Sequence, residues 1–210
     1  MNGLYQSKEW KSLGSIDRAQ LLLVIEGLKR GTIISGNWTS FIDILGKTGL
    51  EYTLNTPKYR LYPAMVVAKP EVLTEVARRE LTVPERPRKG EYHKINGWML
   101  GYPECCTEEY IRERTPKQKL DRKNGQHILT YKFGKEISDL LQDGGKYPEF
   151  LDYRPPSFTP CGVNCPEAAK VLTSWKEAID ALDPEAGKGL VCFNKDSINY
   201  FLKDLPKKRD

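Results

Sequence analysis

The hydrophobic pattern along the chain is mostly helical. In "IDRAQLLLVIEGLKRG" the residues Ile16, Ala19, Leu22, Leu23 and Ile25 recur at three- and four-residue intervals, which predicts an amphipathic helix capped by Ser15 and ended by Gly31. A shorter helix is expected in "WTSFIDILGKTG", where Phe41, Ile44 and Leu45 share a face until Gly46 and Gly49 interrupt it. From Tyr59 the period changes. "YRLYPAMVVAKP" carries the β-branched pair Val66 and Val67 in a short apolar run and reads as a strand, followed by a helix through "EVLTEVARREL" with Pro70 in its first turn. Near the other end "GLVCFNKDSINYFLKDL" repeats that layout: Val191, Cys192 and Phe193 as a strand, a polar turn from Asn194 to Asp196, then a helix.

Between these units "QHILTYKFGKEISDLL" sets Leu129, Phe133, Ile137, Leu140 and Leu141 on one helical face. Two segments break the regular pattern. "TVPERPRKG" is a charged, proline-containing surface loop, and "DGGKYPEFLDYRPPSFTP" carries Pro148, Pro155, Pro156 and Pro160, which rule out a long regular element. The expected fold is α+β: one helix-rich domain over 1–210 with a small β-sheet. It is divided into an N-terminal helical and strand–helix part over 1–81 and a second part over 91–205.

Composition narrows the class. With 39% hydrophobic and 29% charged residues, the chain has the balance of a soluble globular protein, and no stretch approaches the roughly 18 uninterrupted apolar residues of a membrane span. The start "MNGLYQSKEW" lacks the order of a secretory signal, so a cytoplasmic location is expected. No coiled-coil heptad supports a homodimer. Nor is there a phosphate-binding glycine loop, a nucleophile elbow or a H-E-x-x-H helix, which removes many enzyme classes.

The candidate chemistry lies in four of the five cysteines. "GYPECC" holds Cys105 and Cys106, and "FTPCGVNC" holds Cys161 and Cys165. Pro103 and Pro166 suit first helical turns, so each pair is expected at a helix N-terminus, where unpaired N–H groups and the helix dipole stabilise a thiolate. In a reducing compartment such cysteines are metal ligands or redox thiols more often than disulfides. Cys161 and Cys165, with Gly162 and Asn164 between them, can chelate one ion across a turn, and the other pair would complete a four-thiolate shell for zinc or an iron–sulfur cluster. Adjacent side chains in a helix point about 100° apart, which questions whether Cys105 and Cys106 both bind. His93 and His127 are the alternative ligands. The remaining cysteine, Cys192 in "LVCFN", reads as a small buried hydrophobe. Other readings of the same four residues are a dithiol–disulfide couple and an inert knot, and four cysteines permit three pairings. If the site is catalytic, Glu104 or Glu108 would carry protons and Tyr102 would donate a hydrogen bond.

The motifs "LGYPECC" and "TPCGVNCPEAAK", in that order, resemble an uncharacterised, mainly archaeal family known as domain of unknown function number 483. The resemblance implies that Cys105, Cys106, Cys161 and Cys165 form one site, and it implies no reaction. That family's second motif often carries a histidine shortly before its Pro-Cys, whereas here Phe158 stands two before Pro160.

Charge suggests one further partner. The net charge is +5, and from Ile111 to Lys135 eight Lys or Arg face two acids. This basic stretch, 112–135, could attract RNA or another polyanion, although no nucleic-acid-binding signature accompanies it and a solvated face is the simpler account.

Overall fold

The computed structural model describes residues 3–34, 39–55, 64–83, 90–113 and 131–204. Its centre is the helix that the sequence marks most strongly. α2 (Ser15–Ile25), which follows the short α1 (Lys8–Lys11), is buried nearly all round through Ala19, Leu21, Leu22, Leu23 and Val24. Its ends differ from expectation. Gly14 occupies the cap position, and Gly27, at φ 73°, turns the chain back so that Leu28 donates its N–H to the Leu23 carbonyl at 2.9 Å. Gly27 meets the positive-φ requirement four residues before Gly31, which leaves Gly31 free to begin a strand.

That strand is β1 (Gly31–Ile34), followed by α3 (Thr39–Thr48), β2 (Glu51–Asn55), β3 (Ala64–Ala68) and α4 (Pro70–Leu81). The sheet is antiparallel in the order β1-β3-β2, with Thr32 and Tyr52 both opposite Val67. Central β3 is the apolar run read from the sequence; the flanking strands "GTII" and "EYTLN" are too short to show a period and were not anticipated. α5 (Glu91–Met99), α6 (Glu104–Glu113) and α7 (Tyr131–Gln142) follow, then a 3₁₀ turn over Glu149–Tyr153, α8 (Pro166–Leu182) and α9 (Pro184–Asp204). The protein is therefore helix-rich α+β with a three-stranded sheet. No helix among the described residues is long and apolar enough to cross a membrane.

One core cluster runs from Tyr5 and Trp10 to Leu190 and Ile198. Its two ends are joined at Asp183, which accepts the Trp10 indole N–H at 2.7 Å and lies 3.5 Å from the Arg18 guanidinium. α2 packs along α9, so the N- and C-terminal helices share this core.

The expected second strand does not form. Val191, Cys192 and Phe193 lie inside α9, where Ala186, Leu190, Asn194 and Ile198 are buried at four-residue spacing. That longer period fixes a helix and outweighs three β-favouring residues. It also turns Cys192 outward: the thiol is exposed and donates to Asp196 Oδ2 at 3.8 Å. His127, Leu129 and the basic stretch from 114 to 130 lie outside the described residues. At the described ends of the 112–135 segment, Arg112 and Lys132 both pair with Glu109, linking α6 to α7.

Candidate metal centre

Gly-Tyr-Pro is a helix-to-helix corner. Gly101, at φ 72°, ends α5 with the N–H of Tyr102 donating to the Gly97 carbonyl at 2.9 Å, and the Pro103 carbonyl accepts the N–H groups of Cys106 and Thr107 in the first turn of α6. Proline at that point loses no hydrogen bond, because first-turn N–H groups have no helical partner. Cys105 and Cys106 therefore emerge at the N-terminus of α6. Gly97 permits close approach behind them, since a Cβ there would lie 2.4 Å from Thr107 Oγ1.

The second pair is delivered by the loop after the 3₁₀ turn. Asn194 of α9, fully buried, donates through Nδ2 to the carbonyls of Asp152 (2.6 Å) and Arg154 (2.9 Å), and Arg154 Nη1 donates to the Phe158 carbonyl at 3.3 Å. Phe158 stacks on Tyr102 with ring centroids 4.6 Å apart, and Trp175 of α8 closes the group at 6.3–6.4 Å. Phe158 thus fills the aromatic stack where a histidine was looked for. Further on, Glu136 of α7 accepts the Val163 N–H at 2.8 Å and holds the Cys161–Cys165 turn, and Cys165 is the N-cap of α8, its Sγ accepting the Ala168 N–H at 3.4 Å.

These supports bring four thiols together. Cys105, Cys106, Cys161 and Cys165 place their sulfurs within 4.8 Å of one another. Cys105 lies 3.8 Å from Cys165 and 3.9 Å from Cys106, and Cys106 lies 3.7 Å from Cys165. Both members of the adjacent pair face the cluster, each with its sulfur within 3.8 Å of Cys165 Sγ. All four are free thiols.

His93 is not in the group. Its ring stands edge-on to Tyr110 at 5.2 Å, between α5 and α6. Tyr102 does not reach a thiol either, since its hydroxyl pairs with Ser157 Oγ at 2.5 Å; Glu104 and Glu108 are exposed.

Without a cation the thiols compete for charge. Burial, reinforced by the neighbouring sulfurs, drives Cys106 far above the usual thiol range and pushes Cys161 up to about 11. Burial alone would also raise Cys165, but the Ala168 N–H and the three neighbouring thiols outweigh it and hold that thiol below its ordinary value. Of these three thiols Cys165 is therefore the most ready to carry negative charge. A bound cation would reverse the balance for all four.

Comparisons with family models, curated proteins and solved structures find no match. The chemistry rests on this geometry. The sequence located every cysteine of the group and the first-turn prolines beside them, but not the supports from elsewhere in the chain: Glu136, Asn194, Arg154 and Trp175 carry no local motif, and only their place in the fold brings them to the site.

Proposed function

We propose that the chain binds one tetrahedral metal ion, with Cys105, Cys106, Cys161 and Cys165 as its four thiolate ligands, and that zinc is its resident metal. The observation that carries this is the sulfur spacing. In a regular tetrahedron with metal–sulfur bonds of about 2.3 Å the edges measure about 3.8 Å. Three of the six separations, 3.7, 3.8 and 3.9 Å among Cys105, Cys106 and Cys165, match those edges, and those to Cys161 stay within 4.8 Å. A disulfide would bring two sulfurs to about 2.05 Å. A cluster of two or four irons spreads its thiolates over separate metal atoms and would open the group beyond 4.8 Å, so a mononuclear ion fits better than an iron–sulfur cluster.

Four protein ligands close the shell and leave no position for water, which favours a structural centre joining α6, the proline-rich loop and α8 over a Lewis-acid catalyst. Kinship with the domain of unknown function named above belongs to the same proposal and adds no reaction. RNA or another polyanion as a partner of 112–135 gains no support from the described residues.

The test is metal and sulfide analysis of untagged protein purified without oxygen, beside a Cys161→Ser, Cys165→Ser double variant. About one zinc per chain without sulfide, lost in the variant, is expected. Metal-free protein with four titratable thiols in the group would overturn the reading. Inorganic sulfide in proportion to iron would replace it with a cluster.

A further inference from the structure

The four sulfurs are not equivalent. Cys106 and Cys165 are buried, Cys161 is half-buried and Cys105 is exposed. Cys106 accepts the backbone N–H of Cys161 at 3.4 Å, and Cys165 accepts that of Ala168 at 3.4 Å. Among the described residues no backbone N–H points at Cys105. An N–H bond withdraws charge from a thiolate and shields it; neither Cys105 nor Cys161 receives one among the described residues, and of these two Cys105 is the one that faces solvent, so its sulfur keeps the most accessible nucleophilic lone pairs.

We propose that Cys105 is the reactive corner of the centre, the sulfur at which peroxides and soft electrophiles attack. The inference rests on the four-thiolate reading. With hydrogen peroxide, the Cys105 thiolate attacks one peroxide oxygen: an S–O bond forms, the O–O bond breaks and hydroxide leaves. Sulfur is oxidised by two electrons and the peroxide is reduced by the same two, giving a sulfenic acid. The Cys165 thiolate, 3.8 Å away, then attacks that sulfur; the S–S bond forms, the S–O bond breaks and a second hydroxide departs. Two thiolates and one peroxide become one disulfide and two hydroxides. The metal loses two of its four ligands and leaves as the divalent ion.

Cys165 is the partner because the other near sulfur cannot serve. Cys106 is the next residue in the same helix, and adjacent Cα atoms lie about 3.8 Å apart, short of the roughly 4.4–6.8 Å that a disulfide spans. Cys165 comes from a different helix and meets no such limit.

The experiment uses the full chain with exposed Cys192 replaced by Ser, loaded with one equivalent of zinc. Brief iodoacetamide labelling followed by peptide mapping is expected to modify Cys105 at least tenfold faster than Cys106, Cys161 or Cys165. One equivalent of hydrogen peroxide is expected to release zinc to a chromophoric chelator in step with a Cys105–Cys165 linked peptide. Zinc that stays bound under peroxide, first labelling at Cys161, or a linkage that omits Cys105 would overturn the inference and leave the zinc centre standing. Failure to retain zinc at loading would overturn the centre instead. The labelling order in the same digest would still uphold or overturn Cys105 as the reactive sulfur.

Discussion

Lys29 is expected to destabilise the fold in a pH-dependent way. It lies just after α2, 3% exposed, with its Nζ lacking a hydrogen-bond partner among the described residues and placed 5.8 Å from the centroid of Tyr102 and 5.4 Å from that of Trp175. Burial lowers its pKa from 10.5 to about 7. Between these values the unfolded chain keeps a proton that the folded chain has lost, so stability rises with pH across that window; below pH 7 both states are charged and the cost is complete. The charge then costs on the order of 4 kcal/mol at pH 7, about 2 at pH 9 and under about 0.5 at pH 10.5. Attraction to the two rings offsets about 1–2 kcal/mol of this. Lys29→Met keeps the chain length and the ring contacts while deleting the charge. Urea denaturation of both proteins at half-unit steps from pH 6.5 to 10 should show the variant more stable by about 2–4 kcal/mol near neutrality, with the gain vanishing toward pH 10. A variant less stable than the parent at every pH, or a gain independent of pH, would refute the argument.

Two other supports give predictions of their own. Asn194→Ala strands the buried carbonyls of Asp152 and Arg154 and should lower stability by about 2–4 kcal/mol in chemical denaturation. A loss below about 1 kcal/mol would show that water replaces the amide. Glu136→Ala removes the acceptor of the Val163 N–H without touching a cysteine, and should weaken zinc affinity by about 10–100-fold in a chelator competition. Unchanged affinity would show that the Cys161–Cys165 turn holds its shape without α7.

Legibility in the sequence followed the length of each pattern. α2, α3 and α4 were readable because each repeats a helical period over ten or more residues, and β3 because its apolar run ends sharply at Lys69 and Pro70. α5 was missed: "EYHKINGWM" places Gly97 and polar residues where a helix face should be apolar, and Gly97 makes sense only once Thr107 of α6 is seen against it. The false strand at 191–193 shows the opposite error, in which three residues were weighed without the four-residue spacing that surrounds them. In the site, backbone-local features such as Pro103, Pro166 and the Cys161–Cys165 spacing were legible. Phe158 and Trp175 meet Tyr102, Glu136 meets Val163 and Asn194 meets Asp152 across long stretches of chain, 27 residues for Glu136 and 42 for Asn194, and no short window of sequence contains such a relation.

The cysteines and the aromatic stack belong to one construction. Tyr102 precedes Cys105 by three residues, Phe158 precedes Cys161 by three, and Trp175 follows Cys165 on α8, so each segment that brings a thiol also brings a ring to the same stack. The stack is apolar and assembles by burial, whereas four close thiols repel one another as soon as they ionise. The ring contacts are therefore able to hold the three segments together without a cation, and an incoming ion would find the thiols close to one another. Such preorganisation confines the entropic cost of closing loops of 55 and 59 residues to folding and leaves little for metal binding. The aromatic residues hold the segments in place, and a metal bound there would lock an arrangement that the core has already made.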